Sequence, residues 1–138
     1  GKRMPRSGLE GKFSVYHACA AALLCGMAGE PQFSDACVAD PSVVEVRDRV
    51  HARADTSIDE AAAEITLMLR DGRTMHKRIE HAIGSLQQPM SDVALREKFH
   101  RLVDPILSAD AATTLVGLCE ELPRASSVRA LTAAARPG

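Results

Sequence analysis

In the stretch "GLEGKFSVYHACAAALL", Phe13, His17, Ala20 and Leu24 stand at i, i+4, i+7 and i+11, the spacing of one helix face. Gly26 follows where a left-handed stop belongs, so a single opening helix is expected to run up to it. Lys12 and Tyr16, four residues apart, fall on the neighbouring face of that helix. A second helix is announced by Asp40-Pro41, a capping acceptor followed by proline at the first helical position, and runs through "SVVEVRDRV". Between the two, "EPQFSDACVA" reads as a turn with a short helical turn.

The period then changes to two. "AEITLMLRDGRTMHKRIEHA" alternates Ile65, Leu67 and Leu69 with polar neighbours, turns at "RDG", and alternates again through Met75, Lys77 and Ile79. A two-residue Asp71-Gly72 turn would put Leu67 opposite His76 and leave Met75 and Ile79 on the other face. A three-residue loop, Arg70-Asp71-Gly72, puts Leu67 across from Met75 and keeps the apolar side chains together. The longer loop is therefore expected, with Gly72 left-handed. The alternating piece "VHARAD" offers a third strand.

"GSLQQP" is a loop, after which Ser91 caps a helix carrying Leu95, Phe99, Leu102 and Ile106 on one face, with Pro105 disturbing its last turn. Ser108 caps a further helix with Ala111, Leu115, Leu118 and Leu122 in line, ended by Pro123, and "SSVRALTAAA" supplies a last short one. The resulting class is α+β, an antiparallel hairpin or small sheet packed against several helices. A chain of 138 residues without internal repeats is expected to be one such domain, residues 1–138.

Composition adds mainly exclusions. With 46% hydrophobic and 25% charged residues the chain is globular rather than disordered. A net charge of -1 removes the electrostatic basis for non-specific nucleic-acid binding, and the short "GKRMPR" is the one basic cluster. No apolar run reaches the roughly 20 residues of a membrane span, and the N-terminal residues hold no signal-peptide core, so a cytoplasmic location is expected. Cys19, Cys25, Cys37 and Cys119 form no CxxC pair, which favours buried, reduced thiols over disulfide or metal roles.

Candidate chemistry is sparse. His76 and His81, five apart along a strand, point to opposite faces and cannot share a metal ion. Cys19 follows His17 by two positions, which diverge on a helix, and a thiol among alanines should have its pKa raised, against a nucleophilic role. Lys12, Ser14, Tyr16 and His17 cluster within two turns. Taken alone, they read as a solvated lysine and a core histidine on an amphipathic helix.

Four segments change that reading. "PRSGLEGKFSVYHACAAALL", "GEPQFSDACVADPSV", "ITLMLRDGRTM" and "GSLQQPMSDVALREKF", in this order, resemble the C-terminal part of the MmgE/PrpD family, which includes 2-methylcitrate dehydratase, cis-aconitate decarboxylase and iminodisuccinate epimerase. "GLEGKFS" and "PMSD…KF" are the most specific pieces, and "GLEGKFSVYH" is nearest in wording to the epimerase-like branch.

The resemblance implies a metal-free and cofactor-free lyase or isomerase that moves a proton next to a carboxylate of a small polycarboxylate substrate. It implies a large helical domain, carrying aspartate and histidine acid/base residues, closed by a smaller α+β lid. The chain matches the later portion of that lid, so the expected partners are the helical MmgE/PrpD domain and further copies in a homo-oligomer. The chain alone is expected to be inactive. Lys12 and Tyr16 are then the expected catalytic side chains, the lysine as a charge and the tyrosine as a phenolic donor. Lys12, Ser14, Tyr16 and His17 are the expected substrate-binding set, with His17 ambiguous between core and site. The rival reading is a non-catalytic, lid-like module that assembles with a helical partner.

Overall fold

The computed structural model describes residues 2–136, which divide between Thr56 and Ser57 into two compact units. Unit 1 is helical: α1 (Gly8–Lys12), α2 (Val15–Cys25), a 3-10 turn (Glu30–Phe33), α3 (Asp35–Ala39) and α4 (Pro41–Asp48). Each α-helix begins on a side-chain acceptor that satisfies an amide the helix cannot, namely Ser7, Ser14, Ser34 and Asp40. Gly26 closes α2 in the left-handed conformation, φ 70°, as the sequence predicts.

α2 packs on α4, and α1 on α3. The core between them holds Ala20, Ala21, Val38 and Val43, together with the buried polar side chains Ser14, His17 and Arg47. The expected single opening helix is in fact two. Ser14 adopts an extended conformation (φ -115°, ψ 106°) to cap α2, and Phe13 is left as the C-cap of α1. The break rotates the expected face out of line. His17 and Ala20 are buried, whereas Phe13 is 71% exposed and Leu24 is also exposed.

Unit 2 contains β1 (Ala63–Met68), β2 (Thr74–Ile79), α5 (Asp92–Val103), α6 (Ala109–Glu120), a 3-10 turn (Leu122–Arg124) and α7 (Arg129–Ala134). Ser91 and Ser108 cap α5 and α6 through the amides of Ala94 and Ala111. The hairpin has the expected long loop: Leu67 faces Met75, the Leu69 N–H donates to the Arg73 carbonyl at 2.8 Å, and Gly72 has φ 86°. The sheet is two-stranded, and "VHARAD" carries no strand. Alternation alone does not make a strand without a neighbour to take its hydrogen bonds. α6 packs on α5 and α7, burying Ala112 and Leu115. Leu95, Leu102 and Ile106, the stripe read from the sequence on and beyond α5, stay exposed. The architecture is α+β, with seven α-helices and one antiparallel pair among the described residues.

The four cysteines are unpaired but not buried. Cys19 and Cys37 are half-buried, and Cys25 and Cys119 are exposed. His17, Ala20 and Ala21 form the buried face of α2, so Cys19 only flanks it and Cys25 sits at the helix end. Burial still pushes the Cys19 thiol up, as expected, and Cys37 is raised by burial and by Cys25 and Asp40 nearby.

Candidate functional site at the junction of α1 and α2

The junction owes its shape to two glycines. A Cβ on Gly8 would lie 2.0 Å from the carbonyl oxygen of Phe33, and one on Gly11 would lie 2.9 Å from Val38 Cγ2 and 3.1 Å from His17 Cδ2. Glycine thus lets α1 lie directly on the segment Phe33–Val38. The Gly8 N–H donates to Asp35 Oδ1 at 2.6 Å, and the Glu10 N–H to Ser7 Oγ at 3.3 Å, so two of the orphan amides of α1 are taken up by side chains.

Ser14 links three segments. Its Oγ accepts from the His17 N–H at 3.2 Å and donates to the Lys2 carbonyl at 2.5 Å, with the side chain out of solvent. His17 is fully buried, edge-on to Phe33 with ring centroids 5.5 Å apart. Its Nε2 lies 2.7 Å from the Gln32 carbonyl, which can only accept, so Nε2 is the donor of that bond. The ring Nδ1 has no protein partner among the described residues.

Lys12 and Tyr16 are not on one helical face. Lys12 is the exposed last residue of α1, whereas Tyr16 lies in the first turn of α2 and is half-buried. The intervening cap at Ser14 is the reason. Arg3, absent from the residues singled out in the sequence, has its guanidinium carbon 5.8 Å from the Tyr16 ring centroid, within cation–π range. The signal for it was the basic cluster "GKRMPR". Lys2 of the same cluster is neutralised by Glu10 at 2.8 Å, and this hydrogen bond is the largest cause holding the Glu10 carboxyl below its ordinary range. Lys12 and Arg3 have no carboxylate partner among the described residues, and the first turn of α2 has no acidic side chain to offset its dipole.

Arg47 is a second residue that periodicity did not mark. It is buried, and its Nη1 donates to the Val38 carbonyl at 3.1 Å, near the C-terminus of α3, where a cation is favoured by the helix dipole. The described residues contain no cluster of three metal-ligating side chains, and His76 instead meets Thr66 Oγ1 across the hairpin at 3.2 Å. No helix among them is long and apolar enough to cross a membrane.

The chain is 29% identical to cis-aconitate decarboxylase of Mus musculus and 27% identical to that of Homo sapiens, each over 132 residues, which are 93% of this chain and 27% of the relative. It therefore spans about a quarter of the length of these relatives. The family model of the MmgE/PrpD C-terminal domain matches residues 1–122, covering all of unit 1 and the hairpin, α5 and α6 of unit 2, and the chain belongs to the MmgE/PrpD family as its C-terminal domain.

Proposed function

We propose that this domain supplies the cationic, hydrogen-bond-donating wall of a polycarboxylate site in a cofactor-free lyase, whose acid/base residues lie on a helical MmgE/PrpD domain. The observation that carries the reading is the α1–α2 junction. Lys12 is exposed and without a carboxylate partner among the described residues, Arg3 stands over the ring of Tyr16, and the first turn of α2 is free of acidic groups. Removing a proton or CO2 next to a carboxylate leaves negative charge, and preorganised cations and donors aimed at that charge lower the barrier. Lys12 holds the carboxylate, Tyr16 donates from its phenol, and Ser14 and His17 fix the backbone that carries both.

Both relatives bear the name cis-aconitate decarboxylase, which favours loss of CO2 over dehydration or epimerisation as the outcome. The 138-residue chain alone is expected to turn over none of cis-aconitate, 2-methylcitrate or iminodisuccinate. In a full-length protein carrying this domain, Lys12→Met should lower kcat/KM about 10²-fold, the scale of one lost charge-stabilising donor, while unfolding shifts by less than about 0.5 kcal/mol because Lys12 is exposed. Equal losses of activity and stability would return Lys12 to a structural role. Retention of full activity by Lys12→Met and Tyr16→Phe together would favour the non-catalytic, lid-like module.

A further inference from the structure

Arg47 on α4 is an expensive side chain to bury. It is 5% exposed and forms no ion pair among the described residues, and its Nε, shut off from water, has no hydrogen-bond partner among them. A guanidinium taken out of water with one bond made and one N–H unpaired contributes little or nothing to stability. Its place in the core therefore calls for a different reason, and the one bond it makes supplies it.

Nη1 donates to the Val38 carbonyl at 3.1 Å, one of the last-turn carbonyls that a helix leaves without an amide. α3 and α4 meet at Asp40, which caps both, and the bond from Arg47 back across nine positions closes that corner. Val38 is also what α1 rests on. It is 2% exposed, and its Cγ2 lies 2.9 Å from where a Cβ on Gly11 would stand, one residue before Lys12. The other end of α3 is tied to α1 by the 2.6 Å bond from the Gly8 N–H to Asp35 Oδ1. α3 is thus a splint, pinned to α4 by Arg47 and to α1 at both glycines. An apolar side chain could fill the same corner, but its contacts have no direction, whereas a hydrogen bond fixes an angle.

We propose that Arg47 is a positioning residue. By fixing the corner between α3 and α4 it sets, through Val38 and Gly11, where α1 ends, and hence where Lys12 presents its ammonium to a substrate carboxylate. The proposal rests on the role given to Lys12 above. A cation that must meet a carboxylate at hydrogen-bond distance is sensitive to placement, and an error of about 1 Å made far from the chemistry can lower a rate about 10²-fold.

Two measurements test it. In a full-length protein carrying this domain, Arg47→Met should keep the urea midpoint of the parent or raise it, because it removes a desolvated charge along with the bond, while kcat/KM falls about tenfold to 10²-fold. Arg47→Lys keeps a donor for the single bond to Val38 and should restore most of the activity. If Arg47 acts through Lys12, Lys12→Met and Arg47→Met together should lose no more than Lys12→Met alone. In the 138-residue chain, Arg47→Met should move the amide resonances of Gly11 and Lys12, and Arg47→Lys should leave them near the parent positions. Unmoved amides, parent-like kcat/KM in Arg47→Met, additive losses in the double variant, or loss of the fold in Arg47→Met, which would make Arg47 a support of the core alone, would each overturn the proposal. Full activity in Lys12→Met would instead sink the role of Lys12 on which it rests, and the amide resonances would still decide whether Arg47 places α1.

Discussion

Replacing Gly8 by alanine tests the packing that builds the junction. The added Cβ would lie 2.0 Å from the Phe33 carbonyl oxygen, 3.0 Å from its carbon and 3.1 Å from the Ser34 carbonyl carbon, where carbon contacts ordinarily rest at about 3.5 Å or more. All three neighbours are backbone, so α1 must lift away, which strains the 2.6 Å hydrogen bond from the Gly8 N–H to Asp35. Overpacking costs about 1–3 kcal/mol and loss of a bond to a carboxylate about 1.5–3, against a gain of about 1 from the helix preference for alanine. The net expectation is a loss of about 1.5–5 kcal/mol. For Gly11→Ala the neighbours are the side chains of Val38 and His17, which can shift a few tenths of an ångström, and the net loss should be about 1 kcal/mol. Gly117→Ala on α6 meets nothing within 4 Å and should stabilise by up to about 1 kcal/mol. Tyr16 is the sole tyrosine and there is no tryptophan, so tyrosine fluorescence during denaturant unfolding reads unit 1 directly. Parent-like unfolding of Gly8→Ala, or a larger loss for Gly11→Ala, would refute the packing argument.

Ser14→Ala should cost about 1–2 kcal/mol by the same fluorescence measurement, because it removes the cap of α2 and leaves the His17 N–H and Lys2 carbonyl without their partner; a loss below about 0.3 would contradict the role given to Ser14. Asp40 is held below its ordinary pKa of 3.8 chiefly by the Ser42 hydroxyl at 2.6 Å and then by the Ser42 amide, so the folded state binds fewer protons there than the unfolded one. Its contribution is therefore present above the unfolded value and lost as pH falls through the folded one, and Asp40→Asn should flatten the acid loss of stability on the acid side of that unfolded value; identical slopes in urea titrations of the two proteins would rule this out.

The sequence by itself determined what depends on neighbours three or four residues away. Ser91 and Ser108 cap the helices they precede, Asp40-Pro41 starts α4, Gly26 stops α2, and the choice of the three-residue loop puts Leu67 against Met75. Each of these is a local hydrogen bond or a parity of two, and both are written in residue order. The family was legible for a related reason, since "GLEGKFS" holds the two glycines on which close packing depends. Tertiary structure decided where that stretch breaks. Ser14 leaves the helix because the Lys2 carbonyl, twelve positions away, takes its hydroxyl; His17 is buried because Gln32 and Phe33 close over it; and Gly8 is anchored by Asp35, twenty-seven positions on. No helical period encodes those partners, which is why Lys12 and Tyr16 read as one face and stand on two helices, and why Arg47 and Arg3 were found only in the fold. A periodic pattern specifies which face of an element is apolar, but what covers that face is set by residues the period does not contain.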